Sequence, residues 1–347
     1  MDVVEGLSVL VGSSLVLWLA LLGLAVLRKL RRDRRESRSV ARRAHYAAVL
    51  AGGDAGVIAD VFSAAGDTEA RTDLAVSIDL LHDVLPAAKF EAIGRGMEAS
   101  SATRKLIADL GARRAITRAR AAFLLSRPGT AGGVEEIAPL LADPDPDVRL
   151  VACSGLGRAA TPRAAEALID GLAAGILPPE RIIERLGAPW AVETIVSRLN
   201  ESPALDASLA RALGLSRDPR AAVPLTALLE SDSIEVEISA ARSLGRVGGQ
   251  TCVPALLAAL SSEVWAVRAQ AAKSLGGLGA VVAVDALERC LSDQAWWVRA
   301  NAARALRELG EPGIEALQRA VEHEDRYAAD RAREQLALHA VIAEVAA

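Results

Sequence analysis

The sequence VRAQAAKSLG, residues 267–276, decides the fold because the chain repeats its pattern many times. Leucines equivalent to Leu275 recur at a constant number of residues along the chain, at Leu213, Leu244 and Leu306. At less regular intervals they recur at Leu125, Leu156, Leu186 and Leu336. We call these residues the anchor leucines. A period of about thirty residues is typical of stacked repeats. The sequence therefore predicts one repeat array rather than two globular domains.

Each repeat is predicted to contain two helices. Apolar residues recur four apart, as at Leu256 and Leu260 in a first helix, and this spacing puts them on one helical face. Alanine and leucine, which favour helix, dominate the composition, while aromatic residues make up only 3%. The predicted fold is all-α: a solenoid of about eight helix pairs at residues 101–340, preceded by an irregular helical cap at residues 51–100 and by one transmembrane helix.

Glycine follows the anchor leucine in five repeats, at Gly157, Gly187, Gly214, Gly245 and Gly276. Helices often end at a glycine because glycine adopts positive φ without steric cost. We therefore expect the second helix of these repeats to end at this glycine.

A membrane anchor is predicted at residues 1–27, because residues 6–27 carry no charge and could span about 33 Å as a helix. Residues 28–43 then carry nine basic and two acidic side chains, and such flanks stay in the cytoplasm. We therefore predict a single-pass protein of the cell membrane with its N-terminus outside and its solenoid in the cytoplasm. Residues 28–50 would form a basic juxtamembrane helix near lipid headgroups. A signal peptide and a buried core helix are the alternatives.

The composition disfavours several other classes of protein. From Ala44 onward the chain has 31 basic and 40 acidic side chains, a poor balance for binding nucleic acid. The three cysteines and four histidines are dispersed, without metal-ligand spacing, and no glycine-rich phosphate loop follows a predicted strand. We predict no catalytic residues, no metal site and no cofactor.

The repeats resemble HEAT repeats, in particular the short HEAT-like repeats also found in phycobilisome lyases. In that family an Asp in the turn lies six residues before an Arg of the second helix, and the two form a ladder between repeats. Both positions match at Asp143/Arg149 and Asp293/Arg299, and they depart from the pattern at Ser262/Arg268 and Ser231/Glu237. The resemblance therefore implies an α-solenoid whose ladder is incomplete in the middle.

Two sets of residues are candidate binding sites. Two residues before an anchor leucine, on the predicted concave face, stands the basic column: Arg211, Arg242, Lys273 and Arg304, with Gln270 and Asn301 beside it. The column could bind an acidic peptide or a phosphate-bearing ligand, or it could merely complement the helix dipoles. At the start of second helices stand Trp265, Trp296 and Trp297. They could anchor a partner or seal the packing between repeats.

We therefore expect a membrane-tethered scaffold or adaptor that binds a protein partner, for instance a membrane enzyme, while lipids contact the anchor and the basic flank. An extended repeat surface suits this role. The resemblance also implies an alternative, a cofactor-attaching enzyme or chaperone similar to phycobilisome lyases. A nucleic-acid-binding surface is a third possibility, which the acidic body disfavours.

Overall fold

The computed structural model describes residues 28–29, 31–65, 68–81, 84–86, 89, 92–96, 100–126 and 133–346. All regular secondary structure in these residues is helical, which confirms the predicted all-α fold. The chain divides into two compact units, residues 1–136 and residues 137–347, here called unit 1 and unit 2.

The described residues of unit 1 form the helices α1 (31–52), α2 (Ala55–Ala64), α3 (Thr68–Leu81), α4 (92–96), α5 (Ser101–Asp109) and α6 (Ala115–Leu125). The polar side chain of Asp54 begins α2 by accepting a hydrogen bond from the backbone N–H of Val57 at 2.9 Å. Tyr46 and Leu50 of α1 belong to the same buried cluster as Ile58 of α2. The apolar face of α1 therefore belongs to a hydrophobic core.

A buried carboxylate fastens α1 to α3. Asp73 of α3 accepts hydrogen bonds from Ser39 Oγ, from Arg42 Nε at 2.8 Å and from Arg43 Nε at 2.9 Å. Burial alone would raise the pKa of Asp73, but these three donors outweigh burial and lower it. The folded state therefore holds Asp73 ionised.

Replacement of Asp73 by asparagine should make unit 1 less stable and less sensitive to acid. The folded pKa of Asp73 lies below its unfolded value of about 3.9, so its stabilisation is complete above that pH and is lost as the pH falls through the folded pKa. At pH 7 we expect a loss of about 1–3 kcal/mol, because two guanidinium groups lose a charged acceptor. Thermal unfolding followed by circular dichroism at pH 7 and pH 3 measures both effects; an equal acid-induced loss in wild type and variant would contradict the assignment.

The predicted membrane localisation is corrected by the structure. No helix in the described part of the chain is long and apolar enough to cross a membrane, so a single-pass topology with an outside N-terminus and a cytoplasmic solenoid is not supported. The predicted anchor, residues 1–27, lies outside the described residues. The predicted juxtamembrane helix, residues 28–50, largely coincides with α1, which contributes Tyr46 and Leu50 to a protein core.

Unit 2 is a stack of helix pairs. Its first helices are α9 (Pro162–Ala173), α11 (Val192–Ser197), α13 (Ala222–Ala227), α15 (Val253–Ala259), α17 (Val284–Arg289) and α19 (Glu311–Ala320). Its second helices are α8 (Pro146–Ala159), α10 (Pro179–Leu186), α12 (Pro203–Ser216), α14 (Ile234–Val247), α16 (Trp265–Gly277), α18 (Trp296–Glu308) and α20 (Arg326–Ala346). A short helix, α7 (Gly133–Ile137), and the 3-10 turn Ala138–Ala142 precede α8. Each second helix contacts the next one along the chain, so the pairs form a repeat solenoid.

The anchor leucines form the core of this stack, since Leu213, Leu244, Leu275 and Leu306 are fully buried. First helices of only six or seven residues are lengthened by 3-10 turns, for example Gln250–Cys252 before α15 and Cys290–Ser292 after α17. Such short helices are unstable alone and depend on burial against their neighbours. The predicted HEAT-like solenoid is thus confirmed.

The glycines that follow the anchor leucines do not end helices through positive φ, contrary to the prediction. Gly245 and Gly276 lie inside α14 and α16, and positive φ occurs four residues after the anchor instead, at Gly248, Gly279 and Gly310. A Cβ at Gly245 would lie 2.5 Å from Ser274 Oγ on the next second helix. These glycines therefore allow successive second helices to approach closely.

The ladder between repeats also differs from the one that the resemblance implies. At the ladder positions, an ion pair joins two repeats between Arg268 and Asp293, with Nε–Oδ2 2.7 Å and Nη2–Oδ1 2.9 Å. Arg299 instead donates to carbonyls of its own turn, and its buried Nε has no acceptor. His323 stands in the next aspartate position and accepts from the N–H of Asp325 at 2.9 Å, as Asp293 accepts from that of Ala295. The ladder therefore ends where histidine replaces the carboxylate.

Candidate functional site

The basic column lies on the surface of unit 2, but its members differ in their partners. Arg211 forms an ion pair with Glu180 of the preceding second helix at 3.5 Å, and Arg242 Nε donates to Gln270 Oε1 at 3.4 Å. Within the described residues, the exposed side chains of Lys273 and Arg304 have no carboxylate partner. Only these two cations of the predicted column are available without breaking an existing contact.

Two polar residues predicted beside the column instead hold second helices together. Asn301 Nδ2 donates to the backbone carbonyl of Ala269 at 2.8 Å, which links α18 to α16. Gln270 Nε2 donates to Ser274 Oγ at 3.2 Å, and that hydroxyl donates to the carbonyl of Ala241 on α14 at 3.0 Å. The amide groups of both side chains are therefore already hydrogen-bonded within the fold, and neither is free to bind a ligand.

The predicted tryptophans are brought together at the N-terminal ends of neighbouring helices. The exposed fraction is 48% for Trp265, 47% for Trp296 and 57% for Trp297. The rings of Trp296 and Trp297 meet edge to face with centroids 4.6 Å apart. Side chains that sealed the packing between repeats would be largely buried, so half-exposed rings favour the alternative, that of partner anchors.

Tyr327 extends this set by one helix, and sequence reasoning missed it. It lies second in α20, as Trp297 lies second in α18, and it is 64% exposed. The signal was its separation from Trp297 along the chain, which equals the separation between the anchor leucines Leu306 and Leu336. Trp265, Trp296, Trp297 and Tyr327 together are called the aromatic row.

Cations already contact the aromatic row from within the protein. The guanidinium of Arg331 lies 5.6 Å from the ring centre of Trp296, and that of Arg299 lies 5.0 Å from the ring centre of Tyr327. The negative face of an aromatic ring attracts a cation at such distances. The row is therefore suited to arginine and lysine as well as to apolar side chains.

Exposed acidic residues run beside the aromatic row. Two residues before the start of α14, α16, α18 and α20 stand Asp232, Glu263, Gln294 and Glu324, all exposed. We call these residues the turn row. With three carboxylates and one amide, the turn row places exposed negative charges in the turns that precede these helices.

The structure offers little for covalent chemistry in the residues it describes. Cys153, Cys252 and Cys290 are free thiols, and burial raises the pKa of Cys153 and of Cys290 to about 11. Thiols with so high a pKa are weak nucleophiles at neutral pH. No cluster of His, Cys, Asp or Glu among the described residues has the arrangement of a metal site.

The helix pairs stack into an α-solenoid with the aromatic row exposed on its surface. Such solenoids typically serve as scaffolds for protein interaction. The chain belongs to the HEAT-repeat family: residues 103–177, 222–307 and 253–337 match HEAT repeats, and together they cover more than half of the chain. Similarity to phycobilisome lyases is not shown. No curated protein matches the chain.

Several solved structures are similar to the chain at low identity. An engineered protein is 20% identical, over 88% of this chain and 95% of its own, with a TM-score of 0.36. Human deoxyhypusine hydroxylase in complex with glycerol is 16% identical, over 87% of this chain and 98% of its own, with a TM-score of 0.31. Kap121p bound to Pho4p is 13% identical, over 85% of this chain and 41% of its own, with a TM-score of 0.43.

Proposed function

We propose that this protein is a non-catalytic scaffold or adaptor whose unit 2 binds a protein partner through the aromatic row. The observation that carries the proposal is the half-exposure of Trp265, Trp296 and Trp297 in a chain that buries most of its other large apolar residues. Tryptophan and tyrosine supply a large share of the energy at protein interfaces, because they bury much area at a small cost in side-chain entropy.

The charges of the turn row indicate which side chains the surface of that partner carries. Its carboxylates lie beside apolar rings, so the complementary surface carries lysine or arginine next to apolar side chains. The stacking of Arg331 on Trp296 is an internal example of this contact. A partner segment with alternating cationic and apolar residues could place its cations over the rings and near Glu263 or Glu324.

Random peptides displayed on phage and selected on the protein should be enriched in arginine or lysine beside apolar residues. For one selected peptide carrying a fluorophore, the double variant Trp296→Ala with Trp297→Ala should weaken binding at least about tenfold, because two interface anchors are removed. Fluorescence anisotropy measures the Kd, and thermal unfolding checks that the variant remains folded.

The control variant is Arg242→Glu with Lys273→Glu, which changes the basic column and leaves the aromatic row intact. It should retain the peptide within about twofold, since Arg242 and Lys273 lie in the C-terminal halves of α14 and α16, whereas the aromatic row lies at the N-terminal ends of helices. Selection of acidic peptides whose binding is lost in the control and kept in the tryptophan variant would assign the function to the basic column and refute the proposal.

A further inference from the structure

A cleft of about 660 Å³ in unit 1 is lined by α1, α3 and α6. Five arginines line it, namely Arg32, Arg35, Arg42, Arg43 and Arg120, against three carboxylates, Glu36, Glu69 and Asp73. The cleft therefore carries a formal charge of +2 within a small volume. It lies apart in sequence from the aromatic row of unit 2, and the inference below is independent of the proposed function.

The arginines of this cleft divide into two groups. Arg42 and Arg43 are bound to the buried Asp73, and Arg42 also lies 3.6 Å from Glu69, so these cations are neutralised within the fold. Arg32, Arg35 and Arg120 are exposed and have no carboxylate partner among the described residues. Three guanidinium groups from two different helices thus line one concavity. Glu36, the remaining carboxylate of the lining, offsets only one of their three charges.

Elsewhere in the described structure, some exposed arginines form an ion pair with a carboxylate. Arg163 pairs with Glu166, and Arg319 pairs with Glu288. Like charges placed together repel each other, and this cost is removed when an anion neutralises them. A guanidinium also matches phosphate oxygens with two parallel hydrogen bonds. The cleft thus has the positive charge, the guanidinium donors and the volume of a small-ligand site.

We propose that this cleft binds a multivalent phosphate group through Arg32, Arg35 and Arg120. Arg42 and Arg43 stay with Asp73, which orients α1 against α3 so that Arg32 and Arg35 line the same cleft as Arg120. The phosphate belongs to a free polyphosphate or to a phospholipid headgroup, which share the chemistry that the arginines recognise.

Inorganic tripolyphosphate is the probe for the free ligand, titrated into the full-length protein by isothermal titration calorimetry. The cleft variant Arg35→Glu with Arg120→Glu should weaken its binding at least about tenfold, because two charge-assisted contacts become repulsive. The control variant Arg34→Glu with Arg104→Glu changes the charge equally on exposed residues that do not line the cleft, and it should bind within about twofold of wild type.

Sedimentation with vesicles of phosphatidylcholine and phosphatidylglycerol is the second arm. Binding only to vesicles, lost in the cleft variant and kept in the control, would assign the phosphate to a headgroup. Equal loss in both variants, in either arm, would show diffuse attraction and overturn the proposal, as would a wild-type protein that binds neither probe. Circular dichroism establishes that both variants remain folded.

Discussion

Replacement of Asp293 by alanine should lower the free energy of unfolding by up to about 3–5 kcal/mol, the loss that is usual when one partner of a fully buried ion pair is removed. Both carboxylate oxygens bind Arg268 of the preceding repeat, and only 11% of the Asp293 side chain and 17% of the Arg268 side chain are exposed. Without Asp293 the guanidinium would keep its desolvation cost and lose its counter-charge. Urea denaturation followed by circular dichroism measures the change.

Two controls separate the ion pair from the turn that Asp293 also stabilises. The side chain of Asn in the variant Asp293→Asn can still accept the hydrogen bond from the backbone N–H of Ala295. This variant should therefore lose only the electrostatic attraction between residue 293 and Arg268. In the preceding repeat Ser262 accepts the equivalent bond from Val264, and Glu237 stands where an arginine would face it. We expect Ser262→Ala to cost about 1 kcal/mol. If Asp293→Ala cost no more than Ser262→Ala, the ion pair would contribute nothing to joining the repeats.

The second large effect is expected at two adjacent glycines of α16. The Cβ of an alanine at position 276 would lie 2.7 Å from Ala305 Cα on α18, while a Cβ at position 277 would meet nothing within 4 Å. Gly276→Ala should therefore destabilise the protein by about 1–3 kcal/mol or more, because α16 and α18 must separate. Gly277→Ala should be neutral or stabilise by up to about 1 kcal/mol, because alanine favours helix.

Both variants add one methyl group to neighbouring residues of the same helix, so they differ mainly in what the new methyl group contacts. Their denaturation midpoints should move in opposite directions, or the midpoint of Gly276→Ala alone should fall. Similar midpoints for the two variants would contradict the close approach of α16 and α18.

Several features could be predicted from the sequence because they depend on the spacing of residues along the chain. The constant step between Leu244, Leu275 and Leu306 predicted the repeats, and these leucines are fully buried. Helical spacing within each repeat predicted the pairs of helices. Tyr327 was also within reach, since it stands one repeat after Trp297, but the interpretation followed tryptophan rather than position.

Other features depend on neighbours from another repeat, which the sequence alone does not show. Gly276 was assigned to a helix end, whereas its role comes from Ala305 on the adjacent helix. Asn301 was assigned to a binding face, whereas its amide is bound to the carbonyl of Ala269. The membrane topology predicted from the charge-free residues 6–27 is a different case, because those residues lie outside the described structure and no helix within it is long and apolar enough to cross a membrane.

The sequence by itself determined that the chain folds into stacked helical repeats, because each repeat carries the apolar period of its own two helices. Only the tertiary structure decided which surface residues are available to a partner. The side chains of Asn301 and Trp296 are both near a surface, yet one is engaged by the preceding helix and the other is half-exposed. The distinction arises from contacts between residues of successive repeats, whose geometry is set only when the repeats stack.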